Sequence, residues 1–304
     1  MKILSIDGGG IRGVLAVAIL QSLEEEYNLP VGEHFDIITG ASTGSIIGSS
    51  IVLNKKMSDV MGYYKKYGKK IFRRQSKIGL IKSVYGDKYL RKFFQKAFGE
   101  YSLQDIQKPL LIPAVDVTHG KPYIYRSNYG HNDDGRRNIK LWDAVLSSCS
   151  APIYFPPNNI SNQYLSIDGG LWSNNPSLIG ITEAIHHFKQ DISDIKILSL
   201  GTGLQNIEFN ISKEGDWGLK QWLPFRLLTM KVTPKLLDLV LHLSSESTSY
   251  HCKLLLNDHY LRINRDLGKE VSFDEVKYID ELIQLGEETY IENKADIKQF
   301  IEAE

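Results

Sequence analysis

Short apolar runs alternate along this chain with longer stretches in which apolar positions recur every three or four residues. The short runs, at 2–6, 35–39, 110–116, 123–126, 164–167 and 195–201, predict β-strands. The longer stretches predict helices at 13–27, 44–53, 58–70, 88–98, 140–148 and 176–188, with two more, 233–251 and 273–301, towards the C-terminus. Strands separated by helices call for an α/β fold with a mainly parallel sheet covered on both faces. No internal repeat, low-complexity tract or Pro/Gly/Ser linker interrupts the pattern. It therefore predicts one domain, 1–304, with its core over about 1–205 and a mostly helical flank over about 206–304.

Composition narrows the class. The chain has 304 residues, 42% of them hydrophobic, enough for a large core. Lys+Arg and Asp+Glu are both 36, so net charge gives no reason to expect a nucleic-acid polymer as partner. Cys149 and Cys252 are too few for a disulfide framework and fit a reducing compartment. The strand pattern begins at residue 2, which is read as leaving no room for a cleavable signal peptide. No apolar run reaches the ~18 residues of a membrane span. These features lead to the expectation of a cytoplasmic protein whose membrane contact, if any, is peripheral.

Two motifs carry chemistry near the N-terminus. D-G-G-G-I-R-G at 7–13 holds Gly8, Gly10 and Gly13 at the G-x-G-x-x-G spacing of a dinucleotide-binding loop. That fold expects an acid at the close of the second strand to bind a ribose. Here the strand closes on Thr39-Gly40, and Glu24, Glu25 and Glu26 fall on the first helix instead. Gly40-Ala41-Ser42-Thr43-Gly44 is G-x-S-x-G between an apolar strand and an apolar helix, the setting of a nucleophile elbow. A Gly/Ser/Thr-rich helix cap is the plainer alternative. If Ser42 attacks an ester, the glycine loop becomes a source of oxyanion donors. Gly9 and Gly10 are the first choice, with Gly8 needed for backbone shape. Arg12 reads either as an ion-pair partner or as a residue that orders the loop and meets a phosphate.

A nucleophilic serine needs a base. Eight histidines are scattered along the chain, and those downstream of the candidate acid lie in helices or beside charged residues. An ordinary α/β-hydrolase also places several strands before its elbow, whereas one strand precedes the residue-42 unit here. Asp168 is the better partner: in Y-L-S-I-D-G-G-L-W-S-N-N-P it ends a short apolar strand and is followed by Gly169-Gly170. Open α/β sheets bind ligands at the C-terminal edge of their strands. Burial there would raise the aspartate's pKa and strengthen its bond to the serine hydroxyl. A turn-forming Asp-Gly is the competing reading.

These segments, in this order, resemble the patatin-like phospholipase family. D-G-G-G-I-R-G matches its oxyanion loop, G-A-S-T-G its nucleophile elbow and D-G-G at 168–170 its aspartate motif. S-C-S-A-P-I-Y-F-P-P at 148–157, W-S-N-N-P at 172–176 and I-L-S-L-G-T-G at 197–203 add support. The resemblance implies a three-layer α/β/α sandwich with a Ser–Asp dyad, no catalytic histidine and no cofactor or metal. Ser42 would be the nucleophile, Asp168 the base, and Gly8, Gly9 and Gly10 the oxyanion hole. Arg12, Gly13, Gly40, Gly44 and Gly169 would shape the supporting loops. The implied reaction is hydrolysis of fatty acyl esters of membrane phospholipids, with neutral lipids or unselective ester cleavage as rivals. Some bacterial members are effectors switched on by cyclic nucleotides, so an anionic or cyclic-nucleotide activator stays open, as does a homo-oligomer.

Between Asp59 and Asp87 the chain has no acid and eight basic residues, among them Lys69, Lys70, Arg73 and Arg74, interleaved with Tyr63, Tyr64, Tyr67, Ile71 and Phe72. Such a segment suits either an anionic lipid surface or a solvated helix face. The Trp-rich stretch 217–225 reads either as aromatics packed against the core or as a second candidate for membrane insertion. The run 236–243 reads as a buried or dimerising helix, and Arg262 as strand-borne structural polarity without a catalytic role.

Overall fold

The computed structural model describes residues 1–76, 82–129, 138–204, 225–226, 231–232 and 235–303. Lys77, residues 78–81, the Trp-bearing residues 217–222 and the first residues of the helix expected at 233 lie outside these.

Eight strands form the main sheet: β1 (Lys2–Ile6), β2 (Ile37–Gly40), β3 (Leu110–Asp116), β4 (Lys121–Arg126), β5 (Asn158–Ile160), β6 (Tyr164–Asp168), β7 (Lys196–Leu200) and β10 (Tyr260–Ile263). Among the described residues, the strands β8 (Phe225–Arg226) and β9 (Lys231–Val232) pair with each other. The main order is β10-β7-β1-β2-β3-β6-β5, with β4 beside β3. The pairings through β10, β7, β1, β2 and β3 are parallel, while β4, β5 and β6 enter antiparallel. The sheet is thus mainly parallel, as the pattern predicted, with an antiparallel wing.

Alternating side chains feed two separate cores, which produces three layers. Leu4, Ile6, Ile38, Leu110, Leu198 and Leu200 pack on one face against α1 (Gly13–Tyr27), α2 (Thr43–Val52) and their neighbours. Those neighbours include α3 (Met57–Ile71), α4 (Lys88–Phe98) and α5 (Leu141–Ser148). Ile3, Ile37, Leu111 and Ile197 face the other way, onto α7 (Ser177–His186) and α8 (Lys235–Leu256). A strand buried on both faces must read as a nearly continuous apolar run, which is why β1 and β7 stood out in the sequence. The short α6 (Gly170–Ser173) follows β6.

The C-terminal flank departs from expectation. The helix expected over 273–301 is broken into α9 (Ile279–Glu292) and α10 (Lys294–Glu302), preceded by irregular chain at 273–275 and a short 3-10 turn. The carbonyl of Phe273 leaves the helical pattern to accept the Ile11 amide at 2.7 Å. β10 extends the sheet beside β7, so this flank contributes a strand as well as helices.

One detail of register positions the site. β2 pairs with Leu110 and Leu111 of β3, and β6 pairs with Ala114, Val115 and Asp116. β4 occupies the opposite edge from Leu111 to Asp116. β2 and β6 therefore share one edge of β3 and run head-on towards each other, their C-terminal ends closing on Ile112 and Pro113.

Candidate active site

Ser42 stands just past the end of β2, at the entrance to α2. Its backbone lies at φ 49°, ψ −119°, a conformation L-residues rarely adopt. Such strain costs about 1–3 kcal/mol and persists only where the surroundings impose it. The flanking glycines show what imposes it: a Cβ on Gly40 would stand 2.2 Å from Gly44 O, and one on Gly44 2.2 Å from Ile6 O. Behind the turn, Ser45 Oγ donates to Ser42 O at 2.6 Å, and Ser42 N donates to Ser148 Oγ at 2.9 Å. Ser148 Oγ in turn donates to Pro113 O at 2.7 Å. No role for Ser148 was read from the sequence; its only signal was membership of the S-C-S-A-P segment.

Asp168 is the last residue of β6 and pairs with Ala114 of β3. Its sequence context predicts a place at the C-terminal edge of the parallel strands, in the manner of a doubly wound sheet. It comes instead from an antiparallel strand that meets β2 end to end. The outcome is the same juxtaposition: Ser42 Oγ donates to Asp168 Oδ2 at 2.8 Å. Asp168 Oδ1 accepts from Gly170 N at 2.8 Å, which fixes the carboxylate plane. The residue is 3% exposed, and burial raises its pKa from 3.8 to about 7 against the opposing hydrogen bonds from Gly170 and Ser42. Gly169 lies against Pro113, where a Cβ would come within 2.1 Å of the carbonyl.

The glycine loop continues from β1 and passes beside the serine. Gly8 N is committed to Asn174 O at 3.0 Å, so Gly8 shapes the loop and does not offer a donor. This corrects its place in the expected oxyanion hole. Among the described residues, the amides of Gly9 and Gly10 have no acceptor, while Ile11 N and Arg12 N donate to Phe273 O and Gly9 O. Gly10 has φ 59°, with Phe273 O 2.5 Å from where its Cβ would be. Arg12 Nε donates to Gly9 O at 3.3 Å, which ties it to the loop. Desolvation lowers the Arg12 pKa to about 10, with Asp238 and Asp7 opposing the shift. Gly13 touches the elbow, since a Cβ there would come 2.5 Å from Thr43 Oγ1.

The loop is anchored from a distance. Asp7 is buried and receives both Arg262 nitrogens, Nη1 to Oδ1 at 2.8 Å and Nη2 to Oδ2 at 2.6 Å, together with Ser245 Oγ at 2.6 Å. Arg262, read from sequence as structural, is structural in this sense: it holds the residue that launches the glycine loop.

The Ser42–Asp168 pair opens into an apolar cleft. Its walls include Tyr63, Ile71, Phe72, Leu90, Phe93 and Phe155, with Ser42, Asp168 and Gly8 to Gly10 on the reactive side. Among the described residues no histidine lines it. Lys69, Lys70, Arg73 and Arg74 do not approach the dyad lining and are exposed. The aromatic and aliphatic residues between them turn inward, so they do not form the lipid-facing apolar surface their interleaving suggested. Among the described residues, no helix is long and apolar enough to cross a membrane.

The family model described as patatin-like phospholipase matches residues 4–180. Patatin-like protein 2 of Arabidopsis thaliana is 30% identical, over 95% of this chain and 82% of its own length. A cGAMP-activated phospholipase of Escherichia coli (strain TW11681) is 33% identical, over 66% of this chain and 62% of its own. Among solved structures, VipD from Legionella pneumophila aligns with a TM-score of 0.49 at 12% identity, covering 96% of this chain and 66% of that one.

Proposed function

The chain belongs to the patatin-like phospholipase family and is a lipid acyl hydrolase, and from that premise we propose that Ser42 and Asp168 form its catalytic dyad. The observation that carries this reading is the 2.8 Å bond from Ser42 Oγ to a buried carboxylate in the wall of an apolar cleft. The proposed substrate is a fatty acyl ester of a membrane phospholipid, its acyl chain lying in the cleft.

The chemistry follows from the groups present. Asp168, with a pKa near neutrality, accepts the Ser42 proton as Oγ attacks the ester carbonyl carbon. The carbonyl electron pair moves onto oxygen, which accepts from the Gly9 and Gly10 amides. Donors preset for that charge are worth about 3–4 kcal/mol each in the transition state. Collapse of the tetrahedral centre expels the lipid alkoxide, which takes the proton from Asp168 and leaves acyl-Ser42. A water deprotonated by Asp168 then attacks the acyl carbon, and the fatty acid departs as the proton returns to Ser42.

Residues 1–304 are proposed as one catalytic unit; β10 in the main sheet and Arg262 on Asp7 support this. Similarity to a cGAMP-activated phospholipase favours, as a second reading, control by a cyclic-nucleotide ligand. Both readings are tested by fatty-acid release from mixed phospholipid and triacylglycerol substrates, with and without cGAMP, for wild type and Ser42→Ala. Loss of about 10³-fold or more is expected for Ser42→Ala. Hydrolysis that survives the substitution excludes the dyad.

A further inference from the structure

We propose that the outer faces of α3 and α4 form a docking surface for bilayers containing anionic phospholipid. This rests on the phospholipid-hydrolase reading above and specifies how its substrate is reached.

Charge is the first argument. From residue 60 to residue 99 the chain carries twelve Lys and Arg against a single acid, Asp87, although the whole protein balances at 36 and 36. The excess is therefore local, and it falls on two neighbouring helices and the segment between them. α3 and α4 lie side by side, with Phe93 packed on Tyr63 at 5.6 Å and on Tyr67 at 4.9 Å between ring centroids. Their outward sides consequently make one continuous wall. On α4, Lys88, Lys92 and Lys96 recur every four residues along one exposed stripe. On α3, Lys66 and Lys70 do the same, with Arg73 just beyond the helix end. Among the described residues none of these six has a carboxylate within 4.0 Å. Lys65 and Arg91, by contrast, are answered by Asp280 at 3.3 Å and Asp87 at 3.1 Å.

Position is the second argument. The inner faces of the same two helices wall the acyl cleft, through Tyr63 and Ile71 of α3 and Leu90 and Phe93 of α4. A basic exterior backing an apolar cleft is the arrangement an interfacial enzyme needs: the charged wall settles on headgroups beside the groove that takes the chain. Tyr89, 47% exposed between Lys88 and Lys92, adds a side chain suited to the headgroup boundary. A soluble polyanion would satisfy the charge but would leave the shared wall and the exposed tyrosine without a role.

Each basic residue near an anionic surface strengthens partitioning by about fivefold, and salt screens the effect. The test uses Ser42→Ala protein, so that binding is read by vesicle sedimentation without turnover. An error in the dyad assignment leaves this readout unmoved. Vesicles of pure phosphatidylcholine are compared with vesicles containing 30% phosphatidylglycerol as the probe. Binding is expected to the second and not the first, and to fade as salt is raised. Lys66→Gln, Lys70→Gln, Lys92→Gln and Lys96→Gln combined should lower it by several hundredfold, on the order of the product of four such factors. Equal binding to both vesicle types, full binding by the fourfold variant, or capture of cGAMP by these lysines with no vesicle binding would each overturn the proposal. The comparison of the two vesicle types does not need the fourfold variant and so stands even if that protein misfolds.

Discussion

Asp168→Asn removes a carboxyl group that folding holds far from its ordinary ionisation. The pKa is 3.8 in the ordinary state and about 7 in the folded protein, with burial as the main cause. Between these values the unfolded chain binds fewer protons than the folded one, so stability falls as pH rises. The slope reaches at most about 1.4 kcal/mol per pH unit, and the loss totals about 4 kcal/mol once pH passes the folded pKa. Asparagine does not titrate, and its carbonyl oxygen can still accept the Gly170 amide. The variant should therefore match wild type near pH 4 and exceed it by up to about 4 kcal/mol near pH 8. Urea unfolding of both proteins across that range, followed by circular dichroism, measures the difference directly. Fatty-acid release should meanwhile be abolished in the variant, and in wild type kcat/KM should climb with pH to a plateau, with a midpoint close to 7. Stability curves that run parallel from pH 4 to pH 8 would refute the claim that Asp168 is a desolvated base.

Other sites give separate checks. Gly10→Ala places a side chain where φ is 59° and Phe273 O is 2.5 Å away. Displacement of the loop should lower kcat by about 10²-fold, with KM little changed, in steady-state assays on a soluble ester. Ser148→Ala strips the Ser42 amide of its acceptor; a stability loss of about 1–3 kcal/mol by chemical denaturation is expected, together with reduced kcat. Phe93→Trp narrows the acyl cleft, so competition between short- and long-chain esters should shift towards the short, a shift absent if the chain lies elsewhere.

The parts of the site legible in the sequence are those where backbone geometry excludes almost every residue but one. Gly40 and Gly44 are required by carbonyls about 2.2 Å from any added Cβ, and that requirement writes itself into five contiguous letters around Ser42. Asp168 was legible because a strand end and two glycines follow one another locally. What stayed hidden depends on contacts between distant segments. Ser148 and Asn174 hold the elbow and the glycine loop through bonds that no local pattern announces. The short strand β5, N-N-I, lacks the apolar alternation that would reveal it. The break before α9 follows from Phe273 serving Ile11, more than 260 residues away in the chain. For α3, identical spacing of tyrosines and lysines suits a membrane or a core, and only packing showed that the aromatic side faces inward.

The head-on meeting of β2 and β6 along β3 makes that strand a ruler for the hydrogen-bonded pair Ser42 and Asp168. Ser42 and Asp168 lie 126 residues apart, yet their separation is set by how many β3 residues stand between two strand ends. A strand advances about 3.3 Å per residue, so slipping either partner by one position would change the gap by more than a hydrogen bond tolerates. The spacing can thus change only in whole steps, and no gradual drift of register leads from one hydrogen-bonded arrangement to another. Loops and cleft walls are free to diversify around a pair whose distance is counted in residues.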